Sequence, residues 1–301
     1  MKCSKSVFTL VVLAVALLSM SAAAAAPALK FTFKDVKAKG ATEVDSYAIN
    51  NKGVIAGDYV DSKSVQHGLI LTGTKVTSFD DKNCPATPGS TAIAMYGINS
   101  AGTAVGWCTL TSTGFPVGLM YSKGKLTEFN VPKSLETEGL GINDKGAVVG
   151  TFIDANGAQH GFLFQNKKYT QIDAPKDNTT VAWDINNKGQ ITVYALNSGG
   201  TYDAFVMTGK KFAKVSDPGS SSPGTIVHAL NNKGDVDGTF YDSSGNVHGF
   251  LLHGGKYYTL DDPNGCKCDT RDDGLNDAMT SVGRYSTTLG GASIGYEATA
   301  K

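Results

Sequence analysis

Short runs of apolar residues, many alternating with polar ones and each broken by Asn, Asp or Gly, fill the chain. The run Ala147-Val148-Val149-Gly150-Thr151-Phe152 carries the pattern. Before it stands Asn143-Asp144-Lys145-Gly146, where Asn suits the opening of a type I turn and Gly supplies the positive φ that follows. After it, Asp154-Ala155-Asn156-Gly157 reverses the chain, His160 to Phe164 reads as a third strand, and Tyr169 to Asp173 as a fourth. Pro175 stops that strand because proline cannot donate to a ladder. With a first strand ending at Ile142, the stretch predicts four antiparallel strands in about 45 residues.

The unit recurs. Its Ile-Asn or Leu-Asn pair stands at Ile49-Asn50, Ile98-Asn99, Ile142-Asn143, Ile185-Asn186, Leu230-Asn231 and Leu275-Asn276, with spacings of 49, 44, 43, 45 and 45 residues. That period is the size of a propeller blade, and the six anchors predict an all-β, six-bladed β-propeller of four-stranded antiparallel blades. The sixth repeat has a second strand at Thr280–Tyr285 and a third near Ala292–Ala300, then ends one strand short. The missing strand has the form Lys-aromatic-x-x-apolar-Asp, as in Lys168 to Asp173, and Lys30-Phe31-Thr32-Phe33-Lys34-Asp35 nearly matches it. The N-terminal strand is therefore expected to complete the last blade and remove the exposed edges of an open array.

Residues 1–28 read as a secretory signal: Lys2 and Lys5 precede an apolar run, Val7 to Leu18, and a small-residue zone, Ser21 to Ala28. The run is too short to span a bilayer. Residues 29–301 form a single repeat domain, expected to be exported, extracellular or periplasmic, and monomeric. Without Lys2 and Lys5 the 27 basic residues become 25 against 27 acidic, a net charge of about −2. No basic face stands out along the chain, so nucleic acid is a poor partner, and no second apolar run calls for membrane insertion. Export favours disulfides among Cys84, Cys108, Cys266 and Cys268. If the Asn turns mark one end of the ring, Cys84 and Cys108 both lie at the other, which predicts a Cys84–Cys108 bridge; the pairing of Cys266 and Cys268 stays open.

The pattern Ile-Asn-x-x-Gly-x-x-x-Gly, then Asp-x-x-Gly-x-x-His-Gly-Phe, then an Asp-x-Pro loop, resembles the HAF family of bacterial extracellular repeats. Residues Ile142–Pro175 carry it most fully and Leu230–Pro263 nearly as well. The resemblance implies an exported bacterial protein with a propeller-like fold, and it brings no activity or functional residue with it. Repeat two departs from it at Val117, repeat four at Val193 and Asp203, and repeat six at Met279, so those blades should be less regular.

Several residue sets invite a chemical reading. His67, His160 and His248 share one repeat phase. As third-strand residues of alternate blades they stand about 10 Å further from the axis than the first strand, at two strand spacings, and cannot meet at one metal ion. Each is expected to bond within its own blade. The six turn asparagines are explained by turn chemistry alone, although a ring of them could also bind a ligand. Asp261, Asp262, Asp269, Asp272 and Asp273 crowd one region, but Arg271 stands where a calcium loop needs an oxygen, so a solvated, Arg-paired loop is expected. No metal or cofactor is called for.

The most informative position lies three residues before each turn Asn: Tyr47, Tyr96, Leu140, Trp183, His228 and Asp273. One residue on, the side chains are small except for Asp184. Inter-blade packing explains large residues there. The functional reading is an aromatic-lined mouth at the axial end away from the turns, with Asp184, His228 and Asp273 as polar groups, suited to a glycan or small molecule. No nucleophile elbow, zinc-protease helix or phosphate loop is present. The expected function is that of a secreted, non-enzymatic binding or envelope-associated module. The alternative is a carbohydrate-active enzyme of glycoside hydrolase or lyase type, which would need an acid–base pair such as Asp184 with His228 or Asp273 at the mouth.

Overall fold

The computed structural model describes residues 29–85, 93–176 and 179–301. The expected secretion signal, residues 1–28, lies outside the described residues. The described residues form six four-stranded antiparallel sheets arranged as a ring, a six-bladed β-propeller. Blade one runs Ala41–Ile49, Val54–Asp61, Gln66–Thr72 and Lys75–Phe79. Blade two runs Ile93–Ile98, Ala104–Thr109, Pro116–Ser122 and Lys125–Phe129, and blade three Glu136–Ile142, Val148–Ile153, Gln159–Gln165 and Lys168–Ile172. Blade four runs Thr179–Ile185, Gln190–Leu196, Tyr202–Thr208 and Lys211–Val215, and blade five Thr225–Leu230, Val236–Tyr241, Val247–His253 and Lys256–Thr259. Blade six takes Thr270–Leu275, Thr280–Tyr285 and Ile294–Ala300 from the C-terminus and Phe31–Asp35 from the N-terminus.

That closure matches the expectation. Phe31 pairs with Ala300 and Asp35 with Tyr296, and Val36 N–H donates to Gly295 O at 2.7 Å. The core lies between blades. Val149, Ile172, Ala182, Ile191 and Val193 bury the contact of blades three and four, and Val105, Val148 and Phe162 that of blades two and three. Second strands have both faces covered, so Val148 to Phe152 are all buried, whereas Lys168–Ile172, an outer edge strand, is mostly exposed. The departures in the repeat are absorbed locally. Met279 takes the left-handed φ of 57° that glycine holds in the other inner turns, a conformation costing about 1 kcal/mol for an L-residue.

Cys84 and Cys108 are joined, with Cα atoms 6.0 Å apart, as the topology predicts. Cys266 and Cys268 pair with each other, Cα–Cα 5.1 Å, which resolves the pairing left open. Among the described residues no helix is long and apolar enough to cross a membrane. One expectation is overturned. Although charges along the chain mark no basic face, the common strand direction gathers exposed lysines at the end of the ring that carries the inner Asn turns.

Candidate functional site

Two circles of side chains surround the axis. The first is made of the turn asparagines. Asn50 Nδ2 donates to Asn99 O (2.9 Å), Asn99 to Asn143 O (3.2 Å), Asn143 to Asn186 O (3.1 Å) and Asn186 to Asn231 O (3.0 Å). Asn231 donates to Asn276 O (3.1 Å), and Asn276 closes the circle on Asn50 O (3.4 Å). Each Oδ1 meanwhile caps its own turn; that of Asn143 accepts from Lys145 N and Ala147 N, both at 3.0 Å. These buried amides are thus occupied in joining blades, which turn chemistry alone does not foresee. The next residues extend the joint: Asp144 N donates to Asn187 Oδ1 (2.9 Å), Asn187 N to Asn232 Oδ1 (2.8 Å) and Asn232 N to Asp277 Oδ1 (2.7 Å).

The second circle lies three residues earlier, and its cause is local. Every inner strand slips register there: Gly139 and Gly141 pair with consecutive residues Gly150 and Val149, and Leu140 between them has no partner. The same slip frees Tyr47, Tyr96, Trp183 and Asp273, and in blade five both His228 and Ala229. A β-bulge re-aims the extra residue's side chain. In blades two, three and six the next residue is a glycine, which close approach of neighbouring inner strands requires: a Cβ on Gly141 would stand 2.6 Å from Asp184 Cα.

The freed side chains meet. Tyr47 stacks on Tyr96 with ring centroids 4.2 Å apart, and Tyr96 meets Trp183 edge-on at 5.7 Å. Trp183 lies 4.7 Å from the His228 ring, and His228 Nδ1 is 3.2 Å from Asp273 Oδ1. Arg284 Nη1 donates to Asp273 Oδ2 at 2.8 Å, and its guanidinium sits 5.1 Å from the Tyr47 ring centre, which completes the belt. Leu140 is buried, and Tyr96 and Trp183 make contact past it. Five of the six predicted positions therefore form one linked belt.

Their level differs from the expectation. They lie in the turn-proximal part of the inner strands, not near the far end. Tyr96, Trp183, Asp184 and Asp273 border a funnel of about 80 Å³ that the turn residues Asn51, Asp144, Asn187 and Asp277 also line. The funnel thus opens on the turn face. Tyr47 and His228 are buried within the belt. Asp184 Oδ2 accepts from Leu230 N–H at 3.2 Å, and burial pushes its carboxyl up to about 6.

On the far side of the belt stand residues that motif reading does not single out. Trp107, Tyr194, Asp58 and Arg284 each lie eleven positions after the bulge residue of their own blade, and that constant offset could have marked them. Trp107 stacks against Tyr96, and Tyr194 packs at a tilt against Trp183. Burial, then the facing Asp45 carboxylate, holds Asp58 well above the usual carboxylate range. Burial, with Glu136 nearby, pushes Glu138 up to about 7.

His228 and Asp273 meet, as blade order suggests, but both are buried. Their side chains are 8% and 2% exposed, His228 Nδ1–H donates to Asp272 O at 2.6 Å, and burial keeps the imidazole below its usual pKa. His67, His160 and His248 each bond within their own blade, Nδ1 lying 2.8, 2.7 and 2.9 Å from Asp80, Asp173 and Asp261. The acidic run before blade six is not one loop. Asp272 and Asp273 lie within the strand Thr270–Leu275, Asp261 serves His248, and Asp269 alone takes the expected arginine, Arg271 Nε at 3.0 Å.

No family model matches the chain, and no curated protein matches it in sequence. Solved structures do match in fold. The putative TolB from Agrobacterium tumefaciens aligns with a TM-score of 0.57 and 12% identity over 91% of this chain and 99% of its own. The SapL1 lectin in complex with alpha methyl fucoside aligns at 0.53 and 8% identity over 86% and 94%. The Aleuria aurantia lectin, a fungal lectin described as a six-bladed beta-propeller with a novel fucose recognition mode, aligns at 0.50 and 10% identity over 85% and 88%. At such identities the likeness is one of fold.

Proposed function

We propose that this protein is a non-enzymatic carbohydrate-binding propeller whose site is the axial funnel. The observation that carries the reading is Tyr96 and Trp183 at the inner end of a funnel rimmed by amides and carboxylates. Aromatic faces pack on the apolar face of a sugar ring, while Asn51, Asp144, Asn187 and Asp277 offer polar partners for its hydroxyls. That two of the matched folds belong to fucose-related lectins supports the carbohydrate class without naming the sugar.

A binding role is favoured over catalysis by the state of the acid–base candidates. Asp273 is committed to Arg284 and His228, and Asp184 accepts a backbone N–H. The same proposal takes residues 1–28 as an export signal and the chain as a relative of the exported repeat family it resembles. The test is a glycan array followed by calorimetry on the folded chain and on Trp183→Phe, which keeps a ring against Tyr194 and His228. A sugar ligand should emerge, and the variant should bind it more weakly by about 1 kcal/mol. Failure to bind any saccharide, or equal binding by the variant, would remove the funnel as a sugar site.

A further inference from the structure

The near balance of acidic and basic residues conceals two unlike faces. All six outer strands run in the same direction, so their first residues lie on the turn face and their last on the opposite face. Five of them begin with lysine: Lys75, Lys125, Lys168, Lys211 and Lys256. In the sixth blade Lys30 immediately precedes the strand. The inner turns add Lys52, Lys145, Lys188 and Lys233 around the mouth of the funnel. All ten are exposed. Among the described residues, the ion pairs formed by lysine or arginine use Lys37, Lys214, Arg271 and Arg284, none of them from this group.

Carboxylates follow the opposite rule. Asp80, Asp173 and Asp261 stand just past the ends of outer strands, and Asp61, Asp154 and Asp242 open the turns between second and third strands. These six pair with His67, His160 and His248 on the far face. In the turns of the lysine face, Asp144 and Asp277 are held by neighbouring amides, and Asp235 is buried against His253. Three carboxylates thus stand against ten lysines on this face, which leaves an excess of positive charge in two concentric circles about an opening.

We propose that the turn face is a docking surface for an acidic polysaccharide, whose carboxylate groups meet the two lysine circles while one sugar unit enters the funnel. The lysine circles stand on their own evidence; the sugar in the funnel rests on the carbohydrate reading above. Lysine suits this partner, since a flexible point charge tolerates variable spacing of anions along a chain. A membrane surface fits less well. Basic surface helices and patches that hold lipid also insert apolar side chains, and the large exposed apolar residues, Phe115, Leu135, Leu196 and Leu289, all lie in or beside the loops of the opposite face. Duplex DNA offers phosphates along a rod with its sugars and bases held in the helix, and so has no free sugar unit to place in the funnel.

Polygalacturonate is the probe, with dextran as its neutral counterpart. The folded chain should bind polygalacturonate and not dextran, with affinity falling steeply between about 50 and 200 mM salt. Lys52→Gln, Lys145→Gln, Lys188→Gln and Lys233→Gln together should weaken binding by about tenfold or more. Lys37→Gln, Lys63→Gln, Lys133→Gln and Lys267→Gln, the same charge change on other exposed lysines outside the turn face, should leave it within about twofold. Absence of binding at about 50 mM salt, or equal losses in the two variants, overturns the surface. Duplex DNA or phosphatidylserine vesicles bound as tightly as polygalacturonate would overturn the polysaccharide assignment. Lysine-dependent binding that Trp183→Phe leaves unchanged would keep the surface and remove the funnel sugar; neutral-sugar binding that ignores polygalacturonate would do the reverse.

Discussion

The asparagine circle and the bulge belt lie three residues apart on the same six strands, yet they are built on opposite principles. At the turns every blade carries the same residue, and each side chain makes the same bond to the next blade. At the bulges the residues are Tyr, Tyr, Leu, Trp, His and Asp, and each contact is of a different kind. A position that must satisfy its neighbour's carbonyl tolerates one side chain. A position that only has to fill the axis tolerates many combinations, so that is where a ligand site can be accommodated without disturbing the ring.

Opening the ring that carries both circles should have the largest effect. Deleting residues 29–36 removes the strand Phe31–Asp35, bares the edge of Ile294–Ala300 and takes Val36 from the core. The melting temperature should fall by roughly 10 °C or more. An unchanged melting temperature would contradict closure by that strand.

Within the belt, Trp183→Ala should cost about 3 kcal/mol, because contacts with Tyr96, Tyr194 and His228 are lost but one side already faces the funnel. Denaturant unfolding measures it, and a loss below about 1 kcal/mol would mean the belt contributes little packing. Within the asparagine circle, Asn143→Ala removes the bond to Asn186 O and both turn-capping contacts, for about 2 kcal/mol. Equal stability of that variant would reduce the circle to a by-product of turn geometry.

Acidity separates the two circles further, since the amides do not titrate and the carboxyls around the belt do. Burial raises Asp184 from 3.8 to about 6 and Glu138 from 4.5 to about 7. Asp237 and Asp272 are also held well above the usual range by burial. Both contact Ser281 Oγ, at 3.0 and 2.8 Å, and a single hydroxyl proton cannot serve two carboxylates, so one of them carries its own proton. Folded-state values raised in this way favour the fold below the ordinary carboxylate values and withdraw that support as pH rises through the raised ones. Stability should therefore decline from about pH 5 to pH 8, by a few degrees in melting temperature, and Glu138→Gln should flatten the upper part of the decline. A flat or rising profile in the parent chain would refute this.

The smallest effect belongs to the outer blades. His160→Gln loses the contacts to Asp173 and Asp154 at a half-exposed site and should cost about 1 kcal/mol or less, with sugar binding unchanged.

Much of this molecule was legible in its repeat. The period of the Asn turns determined blade number, the truncated sixth repeat determined which strand closes the ring, and the phase of Cys84 and Cys108 determined their bridge. Each is a property of chain distance, turn chemistry or strand alternation, and these are local. The variable position before each turn was legible as a set, because a strict repeat makes its one irregular column visible. What the tertiary structure alone decided was what that set does. The bulge that frees Tyr47, Tyr96 and Trp183, the end of the axis they face and the part Arg284 plays in closing their belt depend on register between strands and on packing across the ring. The lysine face was hidden for the same reason. Residues as far apart in the chain as Lys52 and Lys233 become neighbours in charge only when every blade points the same way, and direction in space is not written in any single blade.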